Sequence, residues 1–146
     1  MSEVTVSSLG SELASACQEY LAELQQVGAE TWERKPAAGE GEEAWSARQV
    51  AEHVQGACGF FGNAIGKAAG IDGPGRTYSE LLTPAAAVEG LPPAIAALQA
   101  VIANLDEAKL AIEADAPWGK STVGGIVRGA GSHFRDHANQ IRTLRG

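Results

Sequence analysis

Apolar residues recur every three or four positions through most of this chain, the period of a helix with one buried face. Leu13, Cys17, Tyr20, Leu24 and Val27 form the first such stripe and predict a helix over 8–27. A Ser7 or Ser8 hydroxyl is expected to cap it, accepting from amides that the first turn leaves without partners, and Gly28 to end it. Residues 31–44 carry no stripe. They hold Trp32, Pro36 and the acidic run Gly39-Glu40-Gly41-Glu42-Glu43, and read as a loop whose charges are solvated.

Ser46 opens the second helix with the clearest local signal in the chain: Gln49 three residues later completes a capping box, and Trp45 is placed to staple onto Val50. His53, Val54, Ala57, Phe61, Ala64, Ile65 and Ala68 continue its stripe until the Gly and Pro of 70–75 break it. Residues 77–82 predict a short helical turn, and a linker runs on through Gly90. A third helix is expected from about Leu91, with Pro92 or Pro93 in its first turn. Its stripe is Leu91, Ile95, Leu98, Ile102, Leu105 and Ile112, with Lys109 snorkelling, and Ala116-Pro117-Trp118-Gly119 stops it. The fourth helix runs from Ser121 or Thr122 to about Leu144 on Ile126, Ala130, His133, His137, Ile141 and Leu144. Gly124, Gly125, Gly129 and Gly131 each cost about 1 kcal/mol there against Ala. They predict close approach by another helix, in this chain or a second copy, or a later helix start. Four amphipathic helices with no segment of period two predict an all-α four-helix bundle, one domain over 1–146.

Composition agrees with that class. The chain has 146 residues, enough for a sizeable core, and its richness in Ala with only 5% aromatic residues favours helix over sheet. The net charge is −7, and no basic cluster precedes Arg135, Arg142 and Arg145, so nucleic-acid binding by counterion release is excluded. Residues 1–9 carry Glu3 and no signal pattern, and no apolar run is expected to approach bilayer-crossing length. Cys17 and Cys58 fall on helical stripes as small buried side chains. Two such cysteines suggest a reducing compartment and a cytoplasmic protein without a membrane partner.

Candidate chemistry centres on His133 and His137, four apart and therefore on one helix face. Imidazoles one turn apart can grip a metal ion together, and the remaining histidine, His53, lies on or beside the buried face of the second helix. Three buried imidazoles otherwise need up to six hydrogen-bond partners among stripe residues that are mostly apolar. A divalent ion would satisfy three ring nitrogens at once, and Zn²⁺, Ni²⁺ and Fe²⁺ all suit imidazole. Three protein ligands leave positions open for water or substrate, and an open ion lowers the pKa of a bound water or thiol.

Other motifs fail. A metalloprotease helix needs Glu after the first histidine, where Phe134 stands, and paired Glu-x-x-His motifs of di-iron bundles are absent. Gly119-Lys120-Ser121 ends like a phosphate-binding loop, but the other required glycine falls at Ala114, so it reads as a helix-start loop. Cys58, five residues beyond His53, is turned away from it and reads as core. Glu52, Asp136, Asn139 and Gln140 flank the histidines as solvated or helix-stabilising residues. Gln140, three after His137, is the best placed to orient an imidazole. No residue is assigned a catalytic role, and no organic cofactor is indicated.

Two motifs carry a family resemblance. Trp45-Ser46-Ala47-Arg48-Gln49-Val50-Ala51-Glu52-His53-Val54 resembles the Trp-Ser…His helix of the DinB-like superfamily, and His133-Phe134-Arg135-Asp136-His137-Ala138-Asn139-Gln140-Ile141-Arg142 resembles its last helix. Thr31-Trp32 through Pro36 looks like the loop before the second helix there. The resemblance implies a metal-binding four-helix bundle with up-down-down-up connectivity, often dimeric, with His53, His133 and His137 as ligands. Characterised relatives include bacillithiol- or mycothiol-dependent S-transferases and a maleylpyruvate isomerase. The implied function is thiol-dependent transfer, or related hydrolysis, on a small-molecule substrate at a divalent metal. The alternatives are a bundle whose ion is structural or regulatory, and a bundle with core histidines and no metal.

Overall fold

The computed structural model of the chain describes residues 5–75 and 78–145. Four helices dominate: α1, Val6–Leu24; α2, Ala47–Ala69; α3, Pro84–Ala103; and α4, Val123–Arg145. A two-stranded hairpin, β1 (Glu113–Ala116) and β2 (Gly119–Thr122), lies between α3 and α4. The expected all-α bundle is the observed fold, with short 3-10 turns and the hairpin added in its connections.

Which helices pack together follows from named contacts. Leu13, Tyr20 and Glu23 of α1 meet Gly131, Phe134 and Arg142 of α4 in that order, so α1 and α4 run parallel. Gln55 and Gly62 of α2 face Gly90 and Leu98 of α3, again parallel. Along α2, His53 meets His137 and Phe61 meets His133, so α2 and α4 run antiparallel. These directions give up-down-down-up connectivity. The interior is filled by large side chains from every helix, among them Leu13, Tyr20, Ile65, Leu98 and Phe134, with Trp32 from the loop after α1.

Local chemistry explains the helix ends. Ser46 and Gln49 form the anticipated capping box on α2, and Gly70 ends that helix in the left-handed region at φ 72°. On α1 the cap is Thr5 rather than Ser7 or Ser8; Ser8 is instead the third helical residue, exchanging 2.9 Å hydrogen bonds with Thr5. The helix ends at Leu24, short of Val27, which is buried beyond it.

Several expectations are corrected. Residues 78–82 are not helical; they form an extended strap along α2, and Thr77 lies outside the described residues. The Leu81 amide donates to Glu52 Oε2 at 2.8 Å, while Gln55 and Ser79 exchange a reciprocal pair at 2.9 Å. A strap bound by side chains has no need of internal helical bonds.

α3 starts at Pro84, two turns before Leu91, because Thr83 caps it through the Ala86 amide and Pro84 fits the first turn. Pro92 and Pro93 are therefore interior to the helix, and both side chains are exposed. The early start also yields a 20-residue helix with an 18-residue window of mean hydropathy 1.5, long and apolar enough to cross a bilayer by length and composition, contrary to expectation. Here its apolar face, with Leu91, Ile95 and Leu98, is buried in the bundle core.

The third helix also ends early, at Ala103, and α4 begins at Val123 rather than at Ser121 or Thr122. Ile112 is partly exposed, and Gly119-Lys120-Ser121 is strand rather than a helix-start loop. Thr122 serves as a cap, its hydroxyl accepting from Gly125 N at 3.0 Å. Two glycines of α4 admit the segment between α3 and α4, while Gly131 faces α1, where a Cβ would stand 4.0 Å from Leu13 Cα, the close approach of another helix that was expected. Leu110 crosses Gly124, and the Trp118 ring lies against Gly129 so closely that a Cβ there would collide with it.

The glycines of α2 make opposite predictions. A Cβ on Gly66 would stand 2.8 Å from the Ile71 carbonyl oxygen and 3.0 Å from Gly73 N, backbone that cannot yield. A Cβ on Gly56, in mid-helix, meets nothing within 4 Å. Urea unfolding should show Gly66→Ala destabilised by about 1–3 kcal/mol and Gly56→Ala stabilised by about 0.5–1 kcal/mol.

Candidate metal centre

The antiparallel packing of α2 on α4 brings the three histidines together. His53 Nε2 lies 2.9 Å from His133 Nε2, which lies 3.1 Å from His137 Nε2. The ligand atoms of all three fall within 4.8 Å of one another. His137 is buried at 5% exposure, while His53 and His133 line a cavity of about 900 Å³. Trp45, Phe60, Phe61, Tyr78 and Trp118 form its apolar walls.

The direction of each ring has a local cause. Ser46 fixes the start of α2 and hence the turn on which His53 sits, and Trp45, packed on the core, holds its ring centroid 4.9 Å from that of His53. Gln140 orients His137. Its Nε2 donates to the carbonyl of Glu42, which turns its Oε1 toward His137 Nδ1 at 2.8 Å. An amide oxygen only accepts, so Nδ1 carries the proton and the lone pair of Nε2 faces the cluster.

The other flanking residues have different work. Glu52 accepts from Arg48 and from the strap, which carries Tyr78 to the cavity mouth. Asn139 accepts from Arg142, and Asp136 lines the cavity without bonding to a histidine. Cys17 and Cys58 are both buried, and burial pushes both thiols up to about 12, as suits core residues rather than nucleophiles.

A model of the DinB superfamily matches residues 12–141. The chain belongs to the DinB superfamily. No curated protein and no solved structure matches it. The matched span takes in the cluster of His53, His133 and His137, and these three could hold a metal ion, in keeping with a metal-binding family.

The donor set of this DinB-superfamily protein fits such an ion. One hydrogen on His133 Nε2 cannot serve both neighbouring nitrogens well, whereas a cation accepts all three lone pairs. With Nε2 separations of 2.9 and 3.1 Å and all three ligand atoms within 4.8 Å of one another, the lone pairs stand where one ion could be reached by all of them. Among the described residues His133 Nδ1 is buried without a hydrogen-bond partner, so the ring has only its Nε2 polar contacts to recover the cost of burial.

Two features of the site lie in segments read as ordinary loop. Glu42, counted as solvated surface, places its carboxylate 3.7 Å from His137 Nε2 and 3.9 Å from His53 Nε2. Trp118, counted as part of a helix stop, walls the cavity from the hairpin turn. The small residues of α4 were the available signal for Trp118; nothing in spacing along the chain pointed to Glu42.

Burial first, and then the neighbouring His137 and His53, push His133 down to about 3; burial and His137 also lower His53, against a smaller opposing pull from Glu42. Below the ordinary value of 6.5 the unfolded chain therefore takes up a proton that folded His133 refuses. Stability held above pH 6.5 is lost as pH falls toward 3. Chelator-treated protein should lose up to about 1.4 kcal/mol per pH unit from this group between about pH 6 and 4. His133→Gln should flatten that slope in thermal melts run across this range.

Proposed function

We propose that this protein is a metal-dependent enzyme that transfers a low-molecular-weight thiol to a small electrophile, with hydrolysis as the related reaction at the same centre. The observation that carries the reading is the position of the cluster: His53 and His133 stand at the wall of a cavity of about 900 Å³, with space beside them for a reactant. An ion that served the fold alone would need no such space.

When bound by His53, His133 and His137, a divalent Zn, Ni or Fe ion would supply a Lewis acid that favours thiolate over thiol. The chain's own residues do the rest. Gln140 keeps the His137 lone pair directed inward, and Trp45 limits movement of the His53 ring. Phe60, Tyr78 and Trp118 remain substantially exposed at the cavity, where they can cover an apolar substrate and exclude water. In the transfer a carbon–sulfur bond forms and the bond to the leaving group breaks. The thiol's proton departs with that group, so that RSH and R′X give RSR′ and HX.

A non-catalytic ion, structural or regulatory, is the second reading. It is favoured by the deep burial of His137 and by its tie through Gln140 to the loop before α2.

Metal content of tag-free protein, measured by plasma mass spectrometry, tests the centre. About one equivalent per chain is expected, lost in the His53→Ala/His137→Ala double variant. With the metal restored, thiol consumption in the presence of an activated aryl halide should fall by about 100-fold or more in His133→Ala. Retained metal without turnover across a panel of thiols and electrophiles would favour the non-catalytic ion.

A further inference from the structure

The acidic loop before α2 reaches the histidine cluster through one residue. Glu42 lies in a single 3-10 turn, Gly41–Ala44, and its Oε1 stands 3.7 Å from His137 Nε2 and 3.9 Å from His53 Nε2. Among the described residues, three carboxylates line the cavity. Glu52 is taken by Arg48 and the Leu81 amide, and Asp136 has no ion pair with a histidine. Among the described residues, Glu42 is the acidic residue within 4 Å of the histidine nitrogens.

Its position is anchored. The backbone carbonyl of Glu42 accepts from Gln140 Nε2, and the other end of the same amide faces His137 Nδ1. The device that aims one imidazole inward thus also docks the carboxylate's own backbone beside the cluster. The Glu42 side chain is 60% exposed, so it is free to move the short distance between water and the nitrogens. Three neutral imidazoles leave the charge of a divalent ion uncompensated between apolar walls, where an adjacent carboxylate is strongly favoured. Oxygen beside imidazole nitrogen also matches the ligand preferences of Zn²⁺, Fe²⁺ and Ni²⁺.

We propose that Glu42 is a fourth protein donor of the centre, a carboxylate held beside His53 and His137 by the docking of its loop on Gln140. The inference rests on the three-histidine reading. It makes the loop part of the ion's surroundings, so that binding of the ion and ordering of the loop are linked.

Cobalt(II) is the probe, because its visible absorption reports the ligand set directly. Wild type, Glu42→Gln, Glu42→Asp, Glu43→Gln and His53→Ala would each be titrated with Co²⁺, and Zn²⁺ affinity measured by competition with a chelator. Glu42→Gln should weaken Zn²⁺ binding by about 10–100-fold and shift the Co²⁺ bands. Glu43→Gln, which removes the same charge one residue away, should change affinity by no more than about 2–3-fold and leave the bands in place. Glu42→Asp keeps the charge but shortens the reach, and should resemble Glu42→Gln in its spectrum. If Glu42→Gln matches Glu43→Gln in affinity and bands while His53→Ala loses the ion, the carboxylate is no ligand and the three-histidine site stands. If wild type binds no Co²⁺, or His53→Ala binds it as well as wild type, both readings fall together.

Discussion

Three imidazole nitrogens facing one another in a partly buried space are short of hydrogens, and the surrounding structure answers to that shortage. His133 has imidazole nitrogens at 2.9 and 3.1 Å on one side and an unpartnered Nδ1 on the other. Protonating it would place a cation where water is scarce and two further rings stand close, so burial and its neighbours hold it neutral. Gln140 then decides which end of His137 carries the hydrogen. Such an arrangement is poor as a core and good as a set of inward-facing donors.

The scaffold positions this cluster by ordinary means. A capping box at Ser46 fixes where α2 begins, and ring packing between Tyr20 and Phe134, with centroids 6.0 Å apart, seats α4 against α1 one residue from His133. Burying Phe134 therefore helps to hold its neighbour in place. The strap at 78–82 gives the cavity a wall without adding a regular element. Glu52 and Gln55, one turn of α2 apart, satisfy its amides, and Trp32 donates to the Leu81 carbonyl at 2.9 Å.

Those parts built on large apolar residues at helical spacing were legible from the sequence. The stripes Leu13–Leu24 and Ile126–Ile141 lie on the buried faces of α1 and α4, and Ser46 with Gln49 marks the start of α2 to the residue. The histidines could be paired on one face from their spacing alone. The hairpin was hidden because its alternation is written in Glu113-Ala114-Asp115-Ala116, and alanine suits a helix as well as a strand. The start of α3 was hidden because Pro92 and Pro93 look like a first turn, whereas Thr83 and Pro84 supply the real one. Glu42 was hidden for a different reason. Its role depends on where a loop lands against a helix almost a hundred residues later, with Gln140 98 positions along the chain, and no local pattern records that.

The up-down-down-up arrangement ties the site to the order in which the chain is made. His53 and His133 are separated by 80 residues, and the Arg142–Glu23 bond joins positions 119 apart. α4 covers both α1 and α2, so neither helix completes its buried face until the last part of the chain is present. α2 and α3 can pair as neighbours in sequence, but seating α1 and α2 on α4 closes long loops. For a ribosome the consequence is one of timing. The first three helices emerge with their apolar faces part-covered, and the pocket comes into being only when the final helix arrives to complete it.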